Sequence, residues 1–334
     1  MPRLRTAPLE RTRRLDATAS TAASASGTSL NVVQKIAAYI ALTKPRIIEQ
    51  LLITTIPTMF VARKGVPGFW LMVATLIGGT LAAGGANAIN MVVDRDIDSL
   101  MDRTKGRPLV TGAMTPKAAL AFAITIEALA FLFLWRTVNL LSAVLAVSAC
   151  LFYVFVYTLW LKRSSKQNIV IGGAAGAVPV LVGWAAVLNR LDWAPVVLFA
   201  VIFVWTPPHF WALAVKYRDD YAAADVPMLP VVASFRETAN QILSYSVAMW
   251  ALTLVFAWVA EMGVFYTLSA VVLGGIFLWY AVVLWRIGGR GEAGSLPAST
   301  ITVRPAMKLF VYSIAYLTLL FTAMAVDQVI QHGF

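Results

Sequence analysis

Long apolar runs alternate with short polar connections from about residue 34 to the end of the chain. Each run has about 20 residues or more, the length that an α-helix needs to cross the ~30 Å hydrocarbon core of a bilayer. The pattern predicts nine transmembrane helices, near residues 34–62, 68–93, 117–136, 139–161, 168–189, 194–216, 239–260, 263–285 and 306–329. The expected fold class is therefore an all-α integral membrane protein.

Composition supports this prediction. Hydrophobic residues make up 60% of the chain and charged residues only 13%, whereas soluble domains are about 25% charged. The mean hydropathy is +0.76. The connection LKRSSKQN between the fourth and fifth predicted helices is short, so these two helices should be antiparallel neighbours.

The basic residues divide unequally between the two sides of this arrangement. If residues 1–33, predicted to be a disordered basic tail, are cytoplasmic, 23 of the 27 lysines and arginines lie on the cytoplasmic side and four on the other. The positive-inside rule then predicts a multi-pass protein with its amino terminus in the cytoplasm. The expected location is the bacterial cytoplasmic (inner) membrane. An Arg- and Ser-rich tail also suits a mitochondrial presequence, which leaves the mitochondrial inner membrane as the alternative.

The net charge of +11 does not indicate nucleic acid, because the basic residues lie between apolar runs and not on a soluble module. The lipid bilayer and an anionic substrate are the better partners. Residues 34–330 are expected to form a single membrane domain.

The stretch NMVVDRDID puts acidic residues at the end of a membrane-length segment, where ionisable groups are costly and usually functional. Asn90, Asp94, Asp98 and Asp102 are four residues apart, so a continuing helix would project all four from one face. Such oxygen ligands suit Mg²⁺, which bridges carboxylates to substrate phosphates. The alternative is a solvated loop whose carboxylates pair with neighbouring arginines. Asp96 lies off this face and is expected to pair with a nearby Arg.

Basic residues follow directly in DRTKGRPL, where Arg103, Lys105 and Arg107 form a set suited to a diphosphate. Ordinary positive-inside charge is the alternative for about half of them. A second acidic loop, KYRDDYAAADVPMLP, follows the sixth predicted helix. It contains Lys216 and three further metal-ligand candidates, Asp219, Asp220 and Asp225. Two acidic loops on one membrane face predict two Mg²⁺ ions across one diphosphate.

Other candidate residues have two interpretations each. Lys44 and Arg46 in TKPRI suit either phosphate contacts or snorkelling anchors, and Lys162 and Asn168 at the KRSSKQ connection are similarly open. His209 in WTPPHFWAL either faces a substrate or is a buried histidine bonded to a carbonyl that the two prolines free. Periodicity alone favours the second interpretation for His209.

Taken together, NMVVDRDID with DRTKGRPL, TKPRI, WTPPHFWAL and KYRDDYAAADVPMLP resemble the intramembrane UbiA-type prenyltransferases, and within them the haem-modifying branch. The resemblance covers about residues 35–330. It implies a nine-helix bundle around a central cavity, with a Mg²⁺-dependent diphosphate site at the cytoplasmic mouth formed by Asn90, Asp94 and Asp98. Arg218 stands where the family's second motif would align an Asp, so the sequence leaves open which carboxylate of residues 219–225 binds metal.

The resemblance also implies farnesyl diphosphate and haem B as substrates, with Tyr153, Tyr157 and Trp205 as candidates to stabilise a farnesyl cation. A partner that converts the product to haem A, a haem A synthase, is left open. The sequence keeps two alternatives: a prenyltransferase for an aromatic acid or quinone precursor, and a secondary transporter. A transporter would have acids near the bilayer midplane, whereas these acids cluster at one face beside basic residues.

Overall fold

The computed structural model describes residues 31–289 and 300–333, and all regular structure in these ranges is helical. The helices are α1 Val32–Thr43, α2 Pro45–Arg63, α3 Phe69–Val93, α4 Arg95–Leu100, α5 Pro116–Thr137, α6 Leu140–Leu151, a π-helix Phe152–Leu161, α7 Lys162–Ser164, α8 Asn168–Leu188, α9 Trp193–Lys216, α10 Arg218–Ala223, α11 Leu229–Val232, α12 Phe235–Val259, α13 Val264–Gly289 and α14 Thr300–His332.

Eight helical segments in the described residues are long and apolar enough to cross a membrane. They correspond to the second to ninth predicted spans, with α6, the π-helix and α7 forming one continuous segment, Leu140–Ser164. The prediction of an all-α membrane protein is therefore confirmed. Helix α2 has 19 residues and occupies most of the first predicted span. It is less apolar than the eight segments above and completes a set of nine long helices in the described residues.

The first predicted span, 34–62, is not one helix. It breaks between α1 and α2 at Lys44, whose φ of 53° lies in the left-handed region. The residue before a proline is disfavoured in the right-handed helical region, and Pro45 follows Lys44 directly. The dipeptide Lys-Pro therefore explains why two helices replace one.

The predicted basic tail, residues 1–33, lies outside the described residues as far as residue 30. Helix α1 begins at Val32, so its first turn includes the last two residues of the predicted tail.

The helices pack mainly against their neighbours in sequence. Helix α3 packs on α5, α8 lies between α2, α6 and α9, and α12 packs on both α9 and α13. The expected pairing of the fourth and fifth spans is confirmed by the contact of α6 with α8. The largest cluster of buried side chains joins α8, α9, α12, α13 and α14 through residues such as Trp211, Phe277 and Phe321.

Apolar side chains also cover the outer surface of the bundle. Trp70, Trp193 and Trp258 are 78%, 77% and 82% exposed. They lie at the start of α3, the start of α9 and the end of α12, which reach the same side of a bundle with alternating helix directions. Exposed tryptophans at helix ends are typical of an interfacial aromatic belt.

Some helix contacts depend on glycine. A Cβ at Gly183 in α8 would lie 2.6 Å from the backbone oxygen of Thr55 in α2, and backbone cannot move aside as a side chain can. At Gly275 in α13, a Cβ would meet no atom within 4 Å. The two glycines therefore differ in packing, although both are inside membrane-length helices.

We expect Gly183→Ala to destabilise the protein by about 1–3 kcal/mol, because the added methyl group forces α2 and α8 apart. Gly275→Ala is the matched control and should leave stability unchanged or slightly raised. Thermal unfolding of both purified variants in detergent measures the difference. Equal melting temperatures would contradict the assigned close approach of α2 and α8.

Candidate functional site

A deep cavity lies between α2, α3, the α6/π-helix segment, α8 and α9. One end is polar, and the rest is lined by small and apolar residues of these helices, with alanines and glycines prominent on α3, α6 and α8. The charged and amide side chains that line the cavity are Lys44, Asn87, Asn90, Asp98, Arg103, Arg107 and Lys162, whereas Asp94 is fully buried and is not a lining residue.

The acidic motif at this end is built by a helix that continues past α3. The backbone N–H of Asp94 donates to Asn90 O, and that of Asp98 donates to Asp94 O, both at 2.9 Å. These i to i−4 bonds keep Asn90, Asp94 and Asp98 on one helix face, one turn apart. The Asn90 side-chain amide donates to Asp94 Oδ2 at 2.7 Å. The predicted common face of these three residues is therefore confirmed.

The fourth member of the predicted ladder does not join this face. Met101 is extended (φ −101°, ψ 128°), so the helix ends before Asp102. The Asp102 side chain is 82% exposed and forms an ion pair with Lys105 at 2.7 Å. This contact lowers the pKa of Asp102 and raises that of Lys105. Asp102 and Lys105 therefore lie outside the cavity.

Each of the three remaining motif residues is held by its own cation. Lys44 Nζ donates to Asn90 Oδ1 at 2.7 Å. Lys162 Nζ donates to Asp94 Oδ2, and an Arg107 guanidinium N–H donates to Asp98 Oδ2. Both carboxylates are almost completely buried, which is costly for a charge without a partner. The three cations come from three separate segments, so the motif ties those segments together.

The carboxylates still have unused oxygens. Asp94 Oδ1 and Asp98 Oδ1 are buried and have no hydrogen-bond partner among the described residues. A guanidinium nitrogen of Arg163 lies 4.0 Å from Asp94 Oδ1, beyond hydrogen-bond distance. Buried polar atoms are nearly always satisfied, so two adjacent orphaned acceptors indicate a missing partner. A hard divalent cation is a suitable partner, because such ions take oxygen ligands.

The position of Lys44 is fixed by the α1–α2 break. The Asn87 side-chain amide donates to the carbonyl of Thr43 at 3.1 Å, one turn before Asn90 receives Lys44. A Cβ at Gly84 would lie 3.2 Å from Thr43 Cγ2, so this glycine allows the close approach of α1 to α3. The left-handed Lys44 backbone is a strained conformation at the site.

The π-helix supplies another wall of the cavity. Its Thr158 hydroxyl donates to Tyr153 O at 2.9 Å and accepts from the Asn90 amide at 3.1 Å. Tyr153 and Tyr157 both line the cavity, and their rings stack with centroids 5.3 Å apart. Gly172 in α8 lies against the Tyr157 ring, where any side chain would clash. Wide π turns are often found at functional sites.

Asp96 has the separate position expected from its place in the helix. Arg163 donates to both of its carboxylate oxygens, each at 2.7 Å. This hydrogen-bonded pair lowers the pKa of Asp96 to about 2. Since its side chain is 59% exposed, the pair is a surface contact and not part of the cavity wall.

The second acidic loop contributes differently from the prediction. Asp219 and Asp225 are exposed and Asp220 is partly exposed, and none of the three lines the cavity. The residues of this loop that do line it are Tyr221, Val226 and Met228. Burial raises the pKa of the Tyr221 phenol. The described residues contain no group of three or more His, Cys, Asp or Glu side chains placed to hold a metal ion.

The remaining basic and amide candidates divide into two groups. Arg103 lines the cavity and lies 5.5 Å from the centroid of the Tyr217 ring. Lys216 is exposed and lies over the same ring at 5.2 Å, outside the cavity. Asn168 is fully buried and donates to Lys162 O at 3.4 Å, so it contacts the backbone beside the cavity. The side chain of Arg46 is outside the described residues.

Trp205 and His209 both line the cavity from α9. The rings stack with centroids 4.4 Å apart. His209 Nδ1 lies 2.6 Å from the Ser313 hydroxyl. The prediction that His209 bonds to a carbonyl freed by the prolines is therefore wrong about the partner. Ser313 is on α14, 104 residues away in sequence.

Sequence reasoning did not find Thr158, Tyr221 and Ser313. Tyr221 lies within an acidic loop that was singled out, so its neighbourhood was a usable signal. Thr158 and Ser313 are in ordinary apolar runs, and only the packing of their helices brings them to Asn90 and His209.

Residues 51–298 match the UbiA prenyltransferase family. The chain belongs to this family. The resemblance inferred from the motifs is thus confirmed. Two similar relatives are named protoheme IX farnesyltransferase. The Frankia alni relative is 54% identical over 296 residues, which cover 89% of this chain and 99% of the relative. The Streptomyces avermitilis relative is 52% identical over 294 residues, which cover 88% and 94%.

Solved structures support the same fold. A digeranylgeranylglyceryl phosphate synthase has a TM-score of 0.71 at 15% identity, covering 88% of this chain and 99% of that one. A UbiA homologue from Archaeoglobus fulgidus bound to GPP and Mg²⁺ has a TM-score of 0.59 at 18% identity, covering 86% and 99%. At these identities the likeness concerns the helical architecture of the UbiA fold.

We expect Lys162→Ala to destabilise the protein by up to about 3–5 kcal/mol, because it leaves the buried Asp94 carboxylate without its cation. Lys166→Ala is the control: Lys166 is four residues away and pairs with the half-exposed Glu237 at 3.7 Å. Its loss should change stability by less than about 1 kcal/mol. Thermal unfolding in detergent without divalent cations measures both variants, and equal effects would contradict the structural role of Lys162.

Proposed function

We propose that this protein transfers the farnesyl group of farnesyl diphosphate to the 2-vinyl group of haem B, giving haem O and diphosphate. The observation that carries the proposal is the change in chemistry along one cavity. A buried cluster of oxygens and cations lies at the polar end of the cavity, here called the mouth, and the rest of the cavity is apolar. A prenyl diphosphate has the same two parts, a charged head group and a long apolar hydrocarbon tail. The haem acceptor is proposed from the relatives named protoheme IX farnesyltransferase.

The mouth has the charge that a diphosphate requires. Lys44, Arg103, Arg107 and Lys162 line it and carry four formal positive charges. Two negative charges oppose them, one on Asp98, which also lines the cavity, and one on Asp94, which is buried and pairs with Lys162. The excess favours an anion, and Arg107 can bind phosphate oxygens through two parallel N–H groups. We assign Arg103, Arg107, Lys44 and Lys162 to binding of the diphosphate and stabilisation of its charge as it leaves.

Asn90, Asp94 and Asp98 are proposed to hold Mg²⁺. The orphaned oxygens of both carboxylates and the amide oxygen of Asn90 are a suitable donor set for this ion. When bound, Mg²⁺ supplies Lewis-acid stabilisation of the departing diphosphate. Solved relatives are bound to DMAPP or GPP together with Mg²⁺, in line with this assignment.

A second Mg²⁺ on the loop with Asp219, Asp220 and Asp225 stays a prediction from the sequence pattern. Unlike the buried Asp94 and Asp98, these carboxylates are exposed or partly exposed, and none of them lines the cavity. The number of ions can be counted by titrating the purified protein with Mn²⁺ in the presence of farnesyl diphosphate.

In the reaction, the bond between C1 of the farnesyl group and the diphosphate oxygen breaks. Tyr153 and Tyr157 line the cavity close below the mouth, where their faces can stabilise positive charge at C1. The vinyl group attacks C1, water adds to the carbon left positive, and one proton is lost. The product is a hydroxyethylfarnesyl substituent. The apolar walls exclude other water from the farnesyl cation.

We further propose that the mouth faces the cytoplasm, because the positive-inside rule puts 23 of 27 basic residues on that side. Both substrates have large apolar parts and can enter from the bilayer. Transfer of the product to a haem A synthase remains a proposed partnership.

Replacing Asp94 by Asn should reduce product formation at least 100-fold, because it removes a charge and a metal oxygen from the centre of the site. Asp96→Asn is the matched control, two residues away on the exposed pair with Arg163, and should keep near-normal activity. The assay incubates each purified protein with haem B, farnesyl diphosphate and Mg²⁺, and reads the product mass. Near-normal turnover by Asp94→Asn would contradict the proposal, as would a wild-type protein that prenylates an aromatic acid or quinone precursor instead of haem B.

Gly176 in α8 gives a test of where the prenyl chain lies. It lines the cavity, and a Cβ there would meet no atom within 4 Å. It is eight residues from the start of α8, about 12 Å along the helix axis. We expect Gly176→Leu to narrow the apolar part without disturbing the fold, so that turnover with farnesyl diphosphate falls several-fold more than with geranyl diphosphate.

Gly275→Leu is the control, because Gly275 also has open space but does not line the cavity. Its product yields with the two diphosphates should match those of the wild type. Equal losses with both diphosphates in Gly176→Leu would mean that the farnesyl chain does not pass this position.

A further inference from the structure

His209 is a buried histidine whose ring is held between two aromatic side chains. It is one of two histidines in the chain, is 5% exposed and lines the cavity from α9. The ring of Trp205 stacks on it at 4.4 Å, and the ring of Phe310 lies 4.7 Å away at a tilt of 31°. These neighbours cover the faces of the imidazole and restrict its plane. Further contacts are therefore made through the two ring nitrogens.

The hydrogen bonds of Ser313 determine which nitrogen carries the proton. The Ser313 hydroxyl donates to the carbonyl of Phe310 at 2.6 Å. A hydroxyl has one proton to donate, so toward His209 the Ser313 oxygen can only accept. The contact of 2.6 Å between His209 Nδ1 and Ser313 Oγ is therefore a bond donated by Nδ1–H. This assignment follows from the network of heavy atoms.

In that tautomer, Nε2 carries the lone pair. Nε2 has no hydrogen-bond partner in the described part of the chain. It is also absent from the set of fully buried side-chain atoms that lack a partner, so it is not completely buried. It is therefore the ring nitrogen in contact with the cavity. A neutral imidazole whose Nδ1–H is bonded to a fixed acceptor is the arrangement that metal-ligating histidines use.

We propose that His209 Nε2 is an axial ligand of the iron of the porphyrin substrate. The inference rests on the proposed function, which supplies an iron-containing acceptor to this cavity. Iron ligation would hold the porphyrin by its centre while its vinyl edge remains free to react. Ser313 is then a positioning residue: it fixes the tautomer and the ring orientation of His209 and contacts no substrate atom.

Other side chains of the cavity are poorer ligands. Cys150 would have to lose its proton in an apolar wall, which burial disfavours. Met101 and Met228 line the cavity, but neither thioether has a hydrogen-bond partner among the described residues. His332, the second histidine, lies at the end of α14 and does not line the cavity.

The test uses the purified full-length protein in detergent and ferric protohaem as the probe. Absorption spectra give the affinity and the ligation state, and resonance Raman spectra of the reduced complex give the iron–histidine stretching band. We expect His209→Ala to lose that band and about 10–100-fold in affinity, and added imidazole to restore ligation. Ser313→Ala should keep the band but shift it to lower frequency, since Nδ1–H loses its acceptor. His332→Ala is the control and should match the wild type.

Iron-free protoporphyrin IX supplies a second comparison. It should bind wild type and His209→Ala equally, because the difference between them is the iron bond. Unchanged spectra in His209→Ala, or an equal loss of protoporphyrin binding, would overturn the proposal. If His209→Ala does not fold, an unshifted iron–histidine band in Ser313→Ala would overturn it instead.

These outcomes are separate from those of the proposed function. A wild-type protein with the iron–histidine band but no farnesylated product would contradict the function and leave the ligation standing. Product formation with unchanged spectra in His209→Ala would contradict the ligation and leave the function standing.

Discussion

Two carboxylates that are almost entirely buried, Asp94 and Asp98, constrain the rest of this structure. A charge removed from water is strongly destabilising unless another charge or a metal compensates it. Here the compensation comes from Lys162 and Arg107, and the adjoining Asn90 is bound by Lys44. The break between α1 and α2, the loop after α4 and the end of the π-helix must therefore all meet at the end of α3.

The same constraint accounts for the chemistry at the mouth. Lys162 and Arg107 compensate the two buried carboxylates. Lys44 and Arg103 also line the cavity, so this end keeps an excess of positive charge. The carboxylates keep one unpaired oxygen each. The site is therefore suited to a cation and an anion together, the state in which a metal diphosphate binds. Stability without substrate and affinity for substrate have the same physical origin.

The apolar interior depends on small residues. Alanines and glycines of α3, α6 and α8 leave space that larger side chains would fill, and Gly172 lets Tyr157 lie flat against α8. Trp205 and His209 present aromatic surface to the cavity from α9. The two walls differ in character, as two different apolar substrates in one cavity would require.

The sequence by itself determined the membrane class, the second to ninth helical spans to within about six residues and the family, but not the break of the first span at Lys44. Hydrophobic length and the spacing of Asn90, Asp94 and Asp98 are local properties, which a helix converts directly into a span and a face. Tertiary structure decided the rest. Which cation pairs with which carboxylate, the exclusion of Asp102, the outward position of Asp219 and Asp225, and the tautomer of His209 all depend on side chains far apart in sequence. These pairings follow from how the helices pack, because the energies of burial and charge compensation exist only once the bundle has formed.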